Sequence, residues 1–243
     1  MCKILTFLFL AMTCALQAAP KQVRVFIALC DNKTQGIVPV GAKIGNGDDP
    51  DSNLYWGCSD GFGAFFRQSK KWKLAKLEKD VSHAILRRMT LDHVEGGIHL
   101  IAEAYRGSEM KQCLKDFEAA AASNEFDLVV YIGHNALMDF SDLQAPRKVE
   151  GNDTEVMVLC CMSEAYFGKR LRDLGCKPLL MTRQLMYPGS FLLHAGLEKW
   201  KSGGKQVEIR SAAAEAYAKN QKISVRAATG VFAALDEGVA DKK

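Results

Sequence analysis

The residues of this chain best suited to covalent chemistry stand at the ends of two apolar runs. Residues 127–133, Asp-Leu-Val-Val-Tyr-Ile-Gly, lead into His134, and residues 155–159, Glu-Val-Met-Val-Leu, lead into Cys160 and Cys161. A thiolate attacks carbonyl carbon readily and an imidazole can carry its proton, so a Cys and a His brought together can run acyl transfer through a covalent intermediate. That chemistry calls for no cofactor and no metal.

The elements needed to unite them can be read from the pattern. Short apolar runs rich in β-branched residues are buried strands of a parallel sheet, and ligands bind at the carboxyl ends of such strands. Further strands are expected at 22–29, 97–102 and 177–181, with helices over about 73–90, after Ser108, over 163–174, from Pro188 to Trp200, and as a pair between Val207 and Leu235. In the 73–90 segment Leu74, Leu77, Val81, Ile85 and Met89 recur at three- and four-residue steps, the spacing of a helix face. The alternation predicts an α/β fold: a three-layer α/β/α sandwich around a mainly parallel sheet. Asp31 and Asn32, Glu103 and Arg106, and Thr182 and Arg183 close three of these strands, which makes them candidate substrate contacts on the His134 and Cys161 edge.

The segment 33–66 has little periodicity and is too long for a plain connector, as functional loops often are. Within it, Trp56 among glycines could line a cleft or plug the loop onto the core. Asp48, Asp49 and Asp51 are weak calcium candidates, because they offer hard oxygen ligands without the spacing of an EF-hand. His83, His93, His99 and His194 fall inside helix or strand patterns or beside glycine and read as structural or solvated. Cys113 and Cys176 read as small buried hydrophobes.

Tyr131-Ile-Gly-His134, Leu159-Cys-Cys-Met-Ser163 and the stretch from Leu174 to Thr182 together resemble the caspase-hemoglobinase fold of caspases, legumains, gingipains, separases and CHAT-type proteases. The resemblance spans roughly residues 97–200. It implies a cysteine endopeptidase acting on a peptide or protein, with His134 as the base and Cys161 as the nucleophile. Cys160, where these families carry a small residue, is the alternative nucleophile. The backbone N–H groups of Cys161 and of the turn at Asn135 would receive the oxyanion.

Lys3 followed by an apolar stretch to Leu16 and then Gln17-Ala-Ala19 reads as a signal peptide over 1–19 of an exported, periplasmic or secreted protein. No membrane span is then expected after cleavage. Met12-Thr13 is a poor lead-in for lipid attachment at Cys14. Residues 20–243 are expected to form a single domain, and a formal charge of +4 is too mild to imply nucleic acid. The alternative function is a non-catalytic α/β domain that binds a protein or small-molecule partner through loop 33–66, with the turn at Asn135 deciding whether His134 faces Cys161.

Overall fold

The computed structural model describes residues 19–140, 142–144, 146–147 and 149–235. Residues 1–18 of the expected signal peptide, Cys14 among them, lie outside the described residues. The fold is α/β, with a largely parallel sheet flanked by helices, and no described helix is long and apolar enough to cross a membrane.

Strands β1 (Lys21–Ala28), β2 (Trp72–Lys79), β3 (Ile85–His93), β4 (Ile98–Tyr105), β5 (Leu128–Ile132), β6 (Glu155–Leu159) and β7 (Lys177–Leu180) form one sheet in the order β2-β3-β4-β1-β5-β6-β7. From β4 to β7 every neighbouring pair is parallel, whereas β2 and β3 extend the sheet antiparallel. Helices α1 (Phe62–Gln68), α2 (Met110–Ala122), α3 (Ala136–Asp139), α4 (Ser163–Asp173), α5 (Phe191–Lys201), α6 (Gln206–Gln221) and α7 (Val225–Thr229) complete the chain.

Two-residue alternation in β1 separates the cores. Val23, Val25 and Ile27 pack with Phe62, Leu193 and Ile209, while Phe26 and Ala28 pack with Phe117 and Phe167. Strands β5 and β6 feed both clusters and are buried almost throughout, which is why they read as unbroken apolar runs.

The 73–90 segment corrects the helix expectation: it is the β2–β3 hairpin. Asp80 turns the chain with a φ of 49°, and Leu86, Met89 and Leu91 enter the core as β3 pairs with β4. Leu74 and Leu77 remain exposed on the edge strand, alongside Lys73, Lys76 and Lys79, whose charges discourage further strand addition. Pairing with β4 overrode a helical spacing that local residues alone supported. Ser108 lies in a 3₁₀ turn rather than capping α2.

His194 joins α5 to α1, its ring edge-on to Phe65 and Phe66 at 5.6 and 5.5 Å and its Nε2 2.8 Å from the Ser69 hydroxyl. Burial pushes its pKa down, against the pull of Glu198 and with the push of His93 and Lys71. The unfolded chain therefore binds this proton more readily. Its contribution to stability should be complete above the ordinary value of about 6.5 and be lost as pH falls below that toward the lowered folded value. Urea midpoints measured from pH 7.5 to 5 should fall across that window, and His194→Gln should remove part of the slope.

Candidate functional site

The register of the parallel pair β5–β6 sets Ile132 opposite Leu159. His134 and Cys161 each follow two residues past this last pair, on the turns that leave adjacent strand ends, where neighbouring strands lie about 4.8 Å apart. The His134 ring bonds Asp139 and Cys161 Sγ bonds Met186, and among the described residues no hydrogen bond joins the two side chains. Gly133 makes the turn into His134 at a φ of +143°, and a Cβ there would meet the Ala28 carbonyl oxygen at 3.0 Å, so only glycine suits the position. Asn135 then ties the two strand ends together. Its amide Nδ2 donates to the Cys161 carbonyl at 2.7 Å, and its Oδ1 caps α3 by accepting from Leu137 N–H at 3.1 Å. The Tyr131 hydroxyl donates to the His134 carbonyl at 2.9 Å and pins the same turn.

Past Cys161 the backbone bends sharply. Met162 is left-handed, with a φ of 52°, which costs a non-glycine residue roughly 1–2 kcal/mol. A buried network offsets that strain. Thr182 Oγ1 donates to the Cys160 carbonyl and accepts from Ser163 N–H, while Ser163 Oγ donates to the Val158 carbonyl and accepts from Thr182 N–H. Thr182 is fully buried and bridged to Phe232, so the expectation that it contacts substrate is corrected: it locks the turn that presents Cys161.

The six described cysteines are all free, and they differ in setting. Burial pushes the thiols of Cys30 and Cys176 up to about 11 each, and those of Cys113 and Cys160 well above the usual range. Cys58 is also raised, by its partial burial and then by the charge of Asp60. Cys160 lies wholly within the core, where a thiol stays protonated, which removes it as the alternative nucleophile. Cys161 is partly exposed, and its Sγ exchanges hydrogen bonds with Met186, accepting from N–H at 3.4 Å and donating to the carbonyl at 3.5 Å. Among the described residues, the backbone N–H groups of Cys161 and Asn135 have no hydrogen-bond acceptor.

His134 is 8% exposed, and its Nε2 lies 3.1 Å from both carboxylate oxygens of Asp139. Asp139 also accepts from Gly36 N–H at 3.0 Å. Sequence reading missed Asp139, although its position five residues after a strand-end histidine, with the capping residue Asn135 between them, was the available signal.

The other strand-end candidates are engaged structurally. Asp31 organises its own loop, accepting from Lys33 N–H and the Thr34 hydroxyl, and Asn32 holds Val40 through two hydrogen bonds. Glu103 lies inside β4 rather than past its end, 1% exposed and paired with Arg24 at 2.8 Å and Arg88 at 2.6 Å. Arg106 pairs with Asp48, and Arg183 meets Glu164 at the surface, 3.4 Å away. Trp56 is the plug rather than a cleft wall: it is 3% exposed and stacked on Phe62, with Gly61 and Gly63 pressed against it. Asn53, also unforeseen, is fully buried and fastens this plug through both backbone groups of Cys30.

Of the calcium candidates, Asp48 is taken by Arg106 and Asp51 by Arg87. The described residues contain no cluster of three acidic, His or Cys side chains that could hold a metal. Five cavities of about 200 to 800 Å³ lie elsewhere, two of them along the opposite, amino-terminal edge of the sheet, and neither His134 nor Cys161 lines any of the five.

No family model, curated protein or solved structure matches the chain. The site is therefore read from its own geometry.

Thr182→Val keeps the shape of the side chain while removing its donor and acceptor, leaving the buried Ser163 N–H and Cys160 carbonyl without that partner. The expected cost is about 1–3 kcal/mol, read as a lower urea midpoint at unchanged m-value.

Proposed function

We propose that the protein is a cysteine-peptidase-like hydrolase of three-layer, caspase-like α/β architecture that performs acyl transfer on a peptide or protein with Cys161 as nucleophile and His134 as base. The observation that supports this reading is the tie between the two strand ends: Asn135, the residue after His134, bonds the Cys161 carbonyl past the in-register β5–β6 pair. The order of the parallel strands, β4-β1-β5-β6-β7, supports it in part, because the winding reverses between β1 and β5, ligands of open α/β sheets bind at the carboxyl edge of such a switch point, and His134 follows β5 on that edge.

In this mechanism the Cys161 thiol gives its proton to His134 as sulfur attacks the carbonyl carbon. The free N–H groups of Cys161 and Asn135 receive the oxyanion, and His134 returns the proton to the leaving amine. Water then hydrolyses the thioester. Attack would exchange the hydrogen bonds that Cys161 Sγ makes with the Met186 backbone for contacts with substrate and His134.

The separate partners of the two side chains, Asp139 for His134 and Met186 for Cys161, favour the second reading, a non-catalytic domain. A nearly buried His134 is what a binding protein that retains the turn geometry for stability would show. Its binding surface would be the long loop, whose Val38 is 88% exposed.

Alkylation by iodoacetamide at neutral pH, followed by peptide mapping, separates the two. Cys161 should react first, well ahead of Cys160, and His134→Ala should slow it by about a hundredfold. Slow labelling of Cys161, indifferent to His134, would establish the binding domain instead.

A further inference from the structure

We propose that Asp139 is the positioning residue that fixes the imidazole of His134, and that Gly36 in the loop after β1 sets where its carboxylate lies. This rests on the reading of His134 and Cys161 as a catalytic pair and gives that pair a point of control.

The hydrogen-bond inventory assigns the tautomer. An ionised carboxylate only accepts, so with Asp139 Oδ1 and Oδ2 both 3.1 Å from Nε2, that nitrogen carries a proton, and in the neutral ring Nδ1 keeps its lone pair. Under the catalytic reading Nδ1 is then the atom that takes the proton from Cys161 Sγ once that sulfur leaves the Met186 backbone groups it bonds in this structure. The transfer leaves a thiolate and an imidazolium, and the Asp139 carboxylate opposes the new positive charge at Nε2. When the leaving amine is expelled it collects the proton from Nδ1, and Asp139 remains ionised throughout. Substrate and water are the only other reactants.

Asp139 is held by the loop as well as by His134. Gly36 N–H donates to Oδ2 at 3.0 Å, and a Cβ on Gly36 would lie 2.6 Å from Oδ1. No positive φ is recorded at Gly36, so the backbone tolerates alanine there; the collision is with the end of a short side chain that can rotate away. The carboxylate is 19% exposed on its side chain, which leaves it room to turn. The absence of a side chain at residue 36 is thus what allows Asp139 to face His134. Two neighbours stabilise this loop: Asn32 clamps Val40, and Asp31 accepts from the Lys33 N–H. A ligand or partner that displaced residues 33–40 would carry the Gly36 N–H with it and release the carboxylate.

The test uses the full chain, uniformly ¹⁵N-labelled, with multiple-bond ¹H–¹⁵N NMR of the histidine rings and His134→Gln to assign the signal. Wild-type His134 should show the Nε2–H tautomer. Gly36→Ala and Asp139→Ala should each shift it toward Nδ1–H or a mixture, and should slow Cys161 alkylation by about tenfold to a hundredfold. Gly36→Ala should leave the melting temperature nearly unchanged, which separates repositioning from unfolding and decides the matter even if Asp139→Ala folds poorly. A wild-type His134 in the Nδ1–H form, or a tautomer unmoved by both substitutions, would overturn the proposal. If the tautomer responds while wild-type Cys161 alkylates slowly, the positioning stands and the catalytic reading fails.

Discussion

The parallel pairing of β5 with β6 is the constraint on which the rest of this site depends. Because the pair runs in register from Leu128 opposite Glu155 to Ile132 opposite Leu159, the turns that follow begin side by side, and each must then leave the sheet in its own direction. Gly133 supplies one exit through a backbone conformation closed to other residues, and Met162 supplies the other at a strain that the Ser163 and Thr182 network offsets. Asn135 spans the gap between them. One side chain thereby caps a helix and fixes the carbonyl of the neighbouring turn, so a small disturbance at either strand end is felt at the other.

Around this seam most of the polar side chains at the carboxyl edge are committed to the loops themselves. Asp31, Asn32 and Asn53 satisfy backbone groups of the long segment after β1, and Trp56 with Phe62 anchors that segment to the core. A segment of this length would otherwise bring many buried backbone donors and acceptors without partners. Its irregular appearance conceals a dense set of specific bonds, and its contact with Asp139 through Gly36 joins it to the seam. The segment around Met186 bonds Cys161 Sγ through its backbone and is itself anchored by Met162 N–H on the Gln184 carbonyl and by Tyr187 N–H on the Tyr217 hydroxyl.

The sheet, its largely parallel character and the placing of His134 and Cys161 just past the ends of neighbouring strands were legible in the sequence because they rest on burial. Strands β5 and β6 are covered on both faces, so their residues had to be apolar without interruption, and the first residues able to carry chemistry are those just past their ends. Where burial is one-sided or depends on a distant partner, the same signal fails. The residues of β2 and β3 carry a helical spacing of apolar positions, and only pairing with β4 made them a hairpin, leaving Leu74 and Leu77 in solvent.

What the sequence determined by itself is therefore the set of strands buried on both faces and the identities of the side chains at their carboxyl ends. The tertiary structure alone decided which of those side chains remain free: Glu103 pairs with Arg24 and Arg88, Thr182 locks a turn, Cys160 is enclosed, and Asp139 reaches His134. The physical reason is that burial pattern is written locally, residue by residue, whereas hydrogen bonds and ion pairs form between groups as far apart as Gly36 and Asp139, whose meeting exists only once the chain has folded.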